Sequence, residues 1–195
     1  MSKSTKISNY CIGAEHPPFI VAEMSGNHNQ SLKRALEIVE AAAQAGVHAL
    51  KLQTYTPDTL TINANHENFF IRDPNSQWIG QSLYKLYQKA YTPWEWHKPI
   101  FNRCRELGLT AFSTPFDETA VDFLESLNVP AYKIASFENN HLPLIRKVAA
   151  TKKPLLISVS YKILSLGLNI SQHLNRRSFA DHVKSFRLDL VIITA

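Results

Sequence analysis

Short apolar runs alternate with amphipathic stretches along most of the chain. Residues 19–24 (FIVAEM) are an apolar run ending in a charge, the pattern of a short buried strand. Ser31 then stands where a helix N-cap belongs. Leu32, Ala35, Leu36, Val39, Ala42 and Ala43 follow at helical spacing, and Gly46 closes that helix. Residues 48–53 (HALKLQ) predict a second strand. Thr92, Pro93 and Glu95 predict a capping box with proline in the first turn. Trp96, Ile100, Cys104 and Leu107 make one face of the helix that follows, which Gly108 ends; Trp94, Trp96 and Phe101 read as core. The rhythm then tightens: a strand at 110–113, a helix capped by Asp117, a strand at 131–135, a helix marked by Leu142, Ile145, Val148 and Ala149, and a strand at 154–158. A sixth strand is expected at 188–194.

Strands alternating with helices read as βαβ units and a parallel sheet. A doubly wound sheet and a (β/α)8 barrel both fit. No G-x-G-x-x-G follows the first strand, which disfavours the dinucleotide-binding form. Polar residues gather at the C-terminal end of every strand: Glu23, Lys51 with Gln53, Ser113 with Thr114, Lys133 with Ser136, and Ser158. A barrel builds its active site there, so the barrel is preferred. A complete one needs roughly 200–250 residues or more. This chain has 195, and residues 55–91 are one long connection with a single short helical stretch near Leu83, Tyr84 and Tyr87. The expectation is an incomplete barrel of about five to six βα units.

Composition narrows the function without naming it. Hydrophobic residues are 45% and charged residues 19% of the chain, as in ordinary globular proteins. Cys11 and Cys104 show no metal spacing. The formal charge of +5 is scattered rather than striped, which argues against nucleic acid and leaves a small anionic substrate as its use. Residues 1–10 lack the apolar core of a signal peptide, and no run is long enough to span a bilayer. A cytoplasmic protein without a membrane partner is expected.

Lys51 and Gln53 lie two apart on one strand and point to the same side, opposite Leu50 and Leu52. An ammonium inside a barrel is costly to bury unpaired. Lys51 therefore meets either an anion at the barrel mouth or a neighbouring glutamate, and Lys133 poses the same choice on another strand. Two such lysines beside Thr and Ser hydroxyls favour a phosphate or carboxylate site. Glu23 is either a solvated strand end or an acid/base group. Asn27 and His28 follow in the first loop. The eight histidines show no ligand spacing, so no metal residues are assigned.

Five stretches, AEMSGNHN (22–29), KLQTYTPDTL (51–60), LYKLYQKAYTPWEWH (83–97), STPFD (113–117) and YKIASFE (132–138), resemble the sialic acid synthase family. The third and fifth resemble its pseudaminic acid branch most. The resemblance implies a (β/α)8 barrel and a transferase of carbohydrate biosynthesis. Such an enzyme condenses phosphoenolpyruvate with an amino sugar, here 2,4-diacetamido-2,4,6-trideoxy-L-altrose, to give pseudaminic acid and phosphate. The same family includes N-acetylneuraminate and legionaminate synthases. By motif, Lys51, Gln53, Thr114, Lys133, Ser136 and Ser158 correspond to phosphoenolpyruvate-binding positions, and Asn27 and His28 join them as substrate-binding candidates. Glu23 and Glu138 correspond to the acidic residues near the sugar and the reacting water. The family also implies a divalent metal, Mn²⁺ or Mg²⁺, and a homodimer.

The resemblance stops at Ser158, where the family continues Thr-Gly-Met and this chain reads Val159, Ser160, Tyr161. Residues 1–158 read as the N-terminal part of a synthase barrel and 159–195 as a divergent tail, from a frameshift or truncation. His173 and His182 do not match the family's metal histidines. The expectation is therefore an inactive fragment that lacks metal ligands and does not form the family's dimer. The competing reading is a non-catalytic remnant or a stand-alone binding module.

Overall fold

The computed structural model describes residues 4–13, 15–158 and 190–192. It opens with an antiparallel hairpin, β1 (Thr5–Ile7) and β2 (Tyr10–Ile12), where the sequence carries no strand pattern. Each strand has three residues, too short for a two-residue alternation to show. The turn rests on Ser8 at φ 51°.

Six parallel strands then follow in chain order within one sheet: β3 (Val21–Glu23), β4 (Ala49–Thr54), β5 (Thr110–Pro115), β6 (Tyr132–Ile134), β7 (Leu155–Ile157) and β8 (Leu190–Ile192). Helices α1 (Leu32–Gln44), α4 (Trp94–Glu106), α5 (Glu118–Ser126) and α6 (Leu142–Ala150) make the crossovers. The long excursion after β4 holds α2 (Pro57–Leu60), a 3₁₀ turn (Glu67–Phe69) and α3 (Leu83–Ala90). Strands laid side by side in sequence order, with a helix in each connection from β3 to β7, make a curled half of a (β/α)8 barrel and not a doubly wound sheet, whose strand order reverses. The proposed tail at 159–195 lies outside the described residues apart from β8, as do His173 and His182.

Two apolar layers flank the sheet. Leu50, Leu52, Tyr132, Ile134, Leu155 and Ile157 point outward and pack on the helices through Ala35, Val39, Ile100, Cys104, Leu124, Leu144 and Val148. The inner layer is smaller: Ala49, Phe112, Ala131 and Leu156 pack with Val21 and with Ile7 and Ile12 of the hairpin. The hairpin thus plugs the N-terminal end of the half-barrel, and Ile7 is fully buried there.

Most helix signals work as the sequence predicts. Ser31 Oγ accepts from the Arg34 amide, and Gly46 takes the left-handed conformation after α1 at φ 72°. Asp117 Oδ1 accepts from the Thr119 and Ala120 amides at the start of α5. The capping box at Thr92 does not form. The Thr92 hydroxyl is engaged with His28 Nε2 at 3.2 Å, Pro93 takes the N-cap position without a side-chain bond, and α4 begins at Trp94. Leu142 lies half in solvent (48% exposed) because it sits at the first position of α6, and Leu144 fills the core instead.

Candidate active site

Strand register brings the polar strand ends together. Glu23 lies opposite Lys51, Gln53 opposite Thr114, and Lys133 opposite Leu156. In-register neighbours of a parallel sheet share a face. Glu23, Lys51, Gln53, Thr114, Lys133 and Ser158 therefore continue the inner face above the apolar plug of Ala49, Phe112, Ala131 and Leu156. Ser158 is held in line by its amide, which donates to Ile134 O at 3.1 Å. The β5–β6 ladder has a single register pair, Ser113 opposite Tyr132.

Lys51 is the centre of this tier and is only 5% exposed. Its Nζ donates to Glu23 Oε1 at 2.6 Å, and Gln53 Nε2 reaches the same oxygen at 3.4 Å. The glutamate partner anticipated as one option is present, with its carboxylate 44% exposed. Burial lowers the Lys51 pKa, the Glu23 hydrogen bond raises it, and the adjacent Lys133 ammonium lowers it again. Glu23 thus bonds Lys51, and the Lys133 ammonium stands close enough to Lys51 to act on it. Among the described residues, Lys133 makes no ion pair of its own.

Two polar groups of the mouth are buried without a partner among the described residues: Thr114 Oγ1 and Glu138 Oε2. Glu138 lies in the turn after β6, where its amide donates to Ala135 O and its carbonyl accepts from the His141 amide. Burial raises its pKa, against the opposing effects of its own backbone amide, His141 and Lys133. Ser136 is half-buried in that turn, and Asn27 is exposed, with its carbonyl accepting from Arg34 Nε at 2.8 Å. His28 is placed elsewhere. It is fully buried between Thr92 and the edge of Trp96, and its Nδ1 accepts from the Gln30 amide at 3.2 Å, so it fastens the first loop to the start of α4.

An aromatic tier tops the polar one, and sequence reasoning missed it. Tyr55 and Phe116 come two residues after Gln53 and Thr114, and their rings meet edge-on at 5.3 Å. Phe116 N donates to Thr54 O, which keeps the two strand ends in register. Tyr87 reaches over from α3 to meet Tyr55 at 5.8 Å, and its pKa is raised by burial and by the charge of Glu138. Carrying the two-residue alternation past the strand ends would have revealed Tyr55 and Phe116. Nothing local marks Tyr87, because the long excursion brings it in. Behind the sheet, Thr54 Oγ1 bonds His97 Nε2 at 2.8 Å and Ser113 Oγ at 2.6 Å, a buried chain beneath the mouth.

The donor set is wrong for a divalent cation. Among the described residues no three His, Cys, Asp or Glu side chains cluster, and the mouth carries two ammonium groups. It can instead hold an anion through charge-assisted hydrogen bonds. A cavity of about 360 Å³, lined by Tyr10, Phe101, Arg105 and Asn128 among others, lies at the opposite end of the sheet and plays no part in this tier.

Residues 38–166 match the model of the NeuB family. The chain belongs to that family. A pseudaminic acid synthase of Helicobacter pylori is 50% identical over 142 residues, which is 73% of this chain and 41% of that protein. The crystal structure of the spore coat polysaccharide biosynthesis protein SpsE from Bacillus subtilis matches with a TM-score of 0.62 at 35% identity, over 81% of this chain and 40% of that one. An N-acetylneuraminic acid synthetase from Leptospira borgpetersenii matches with a TM-score of 0.72 at 23% identity, over 98% of this chain and 59% of that one. This NeuB-family chain thus spans about 40% of the length of the curated relatives it matches. No helix of the described residues is long and apolar enough to cross a membrane.

Proposed function

We propose that the inner-face mouth binds phosphoenolpyruvate and that the chain carries the phosphoenolpyruvate half of a pseudaminic acid synthase site. The observation behind this reading is the pair of neighbouring lysines, Lys51 buried and bonded to Glu23, Lys133 beside it without an ion pair among the described residues. Glu23 offsets one of the two ammonium charges, and the other is free to meet an anionic ligand at the mouth. A phosphate and a carboxylate on one small molecule make such a ligand. Thr114 Oγ1, buried without a partner, gains one from such a ligand, and Gln53, Ser136 and Ser158 stand on the same strand ends. The 50% identity to a pseudaminic acid synthase supports 2,4-diacetamido-2,4,6-trideoxy-L-altrose as the second substrate of the whole protein.

In that reaction, C3 of the enol attacks the aldehyde carbon. Water adds at C2, and phosphate leaves with C–O cleavage. The lysines fix the phosphate and carboxylate and stabilise charge on the leaving group. Glu23 and Glu138 stand on the side of the sugar and the water. Residues 1–158 supply the N-terminal part of this barrel, and 159–195 are a divergent tail from a frameshift or truncation.

The test is calorimetric titration of the chain with phosphoenolpyruvate. Lys51→Met and Lys133→Met should each weaken binding by about 10- to 100-fold, the worth of a charge-assisted contact. Unchanged affinity in both variants, or no binding by the parent chain, would remove the assignment. In a full-length relative carrying this N-terminal part, the 6-deoxy diacetamido sugar should outcompete N-acetylmannosamine as co-substrate; the reverse order would move the chain to the neuraminate branch.

A further inference from the structure

Thr114 carries a mouth hydroxyl that nothing holds directly. Its Oγ1 is buried without a partner among the described residues, and it lies opposite Gln53 on the inner face. What fixes it is the strand on either side, and Thr54 holds both sides. The Thr54 hydroxyl bonds Ser113 Oγ at 2.6 Å, and the Thr54 carbonyl accepts from the Phe116 amide at 3.3 Å. Thr54 and Ser113 alternate with Gln53 and Thr114 along β4 and β5, so their side chains meet on the outer face of the sheet. Behind them stands His97, in the first turn of α4. Its Nε2 lies 2.8 Å from Thr54 Oγ1 and its Nδ1 3.4 Å from the Pro93 carbonyl. A carbonyl only accepts, so Nδ1 carries the proton and Nε2 accepts from Thr54. The donors therefore run one way, from Ser113 to Thr54 to His97 to Pro93, and each hydroxyl has one orientation. All three side chains of this row are fully buried, which makes every link costly to remove.

We propose that Thr54 and His97 are positioning residues for the anion site, acting through Ser113 to hold the Thr114 hydroxyl where the ligand takes it up. Neither touches the ligand: both lie behind the sheet, and their effect travels along β5. An apolar residue of the same shape at position 54 keeps the packing of α4 on the sheet. It also releases Ser113 and leaves His97 Nε2 buried without its donor. Packing and positioning can thus be parted at this one residue. The proposal rests on the phosphoenolpyruvate reading, and the experiment separates the two.

Phosphoenolpyruvate is titrated calorimetrically into the parent chain, Thr54→Val, Thr54→Ser, Thr114→Val and the double variant Thr54→Val with Thr114→Val, with urea unfolding of each. Thr114→Val should weaken binding by about tenfold, the upper worth of one hydrogen bond. Thr54→Val should lose a comparable factor, and Thr54→Ser, which keeps the hydroxyl, should bind within about twofold of the parent. The double variant should lose no more than Thr114→Val alone, because Thr54 acts only through Thr114. Cys104→Ala loosens the buried face of the same helix without touching the row, so it gauges destabilisation by itself and should bind as the parent does. Losses that multiply in the double variant, an equal loss in Cys104→Ala, or parent-like binding by Thr54→Val or Thr114→Val overturns the inference and leaves the anion site standing. Absence of binding by the parent chain overturns the phosphoenolpyruvate reading and the inference with it. Should Thr54→Val not fold, Ser113→Ala, which removes one link and keeps the bond between Thr54 and His97, takes its place with the same expectations.

Discussion

Burial pushes the His97 pKa down to about 4, so this fully buried imidazole is neutral at pH 7. Its Nδ1 faces the Pro93 carbonyl, which leaves Nε2 to accept from Thr54, and Thr54 in turn can accept from Ser113. Unfolding frees the ring to titrate near its ordinary value of 6.5. Between about pH 4 and 6.5 the unfolded chain therefore binds more protons than the folded one, and stability falls as pH drops through that window. From pH 7 to pH 5 the loss should be about 2 kcal/mol, at about 1.4 kcal/mol per unit. His28, also lowered by burial, adds to the loss, while Glu138, raised by burial, opposes it. Urea unfolding of the parent and of His97→Gln isolates the imidazole: the variant should start less stable at pH 7 and show a flatter decline. An equally steep decline would mean that His97 does not carry the effect. Sequence periodicity placed this helix but said nothing of its histidine, because its partner Thr54 lies 43 positions away along the chain and Thr54 is in turn 59 positions from Ser113.

At the scale of elements, most of the sheet was legible because parallel strands buried on both faces leave short apolar runs between clear helix signals. What stayed hidden depended on contacts across the fold. The hairpin is too short to carry a pattern and owes its place to Ile7 closing the barrel floor. Helix α3 was visible as a helix, but not its destination against the loop after β3. There Gln30 Nε2 donates to the carbonyls of Lys89 and Tyr91, and a Cβ on Gly26 would stand 3.1 Å from Ala90 O. This contact holds α3, and with it Tyr87, over the mouth. Gly26→Val should push the two apart and cost about 1–3 kcal/mol, the range for overpacking. Thermal unfolding measures the cost, and the Tyr87 ring resonances should shift with it. A variant as stable as the parent with unmoved Tyr87 signals would show that α3 does not depend on this seat.

The whole molecule offers one arc of a barrel mouth. Catalytic residues of (β/α)8 enzymes converge from several strand ends around the full circle. Here the described side chains come from β3 to β7, and they gather two lysines at the mouth with no cluster of three His, Cys, Asp or Glu side chains among the described residues. The gathering of Lys51 and Lys133 at one end of the sheet was legible in the sequence because lysines on strands are conspicuous, whereas side chains that meet from distant parts of the chain, such as Tyr87 over Tyr55, are not written in any local pattern. Binding one substrate supplies only part of the acceleration; the aldehyde must also be oriented and polarised beside the enol carbon. The 195-residue chain should therefore bind phosphoenolpyruvate yet release no phosphate in response to the amino sugar. The measurement is phosphate release from the purified chain with phosphoenolpyruvate, 2,4-diacetamido-2,4,6-trideoxy-L-altrose and Mn²⁺, with a full-length pseudaminic acid synthase alongside. Sugar-dependent release at a comparable rate would mean that residues beyond β7 complete the mouth, and that the stretch from 159 to 195 works as part of the enzyme.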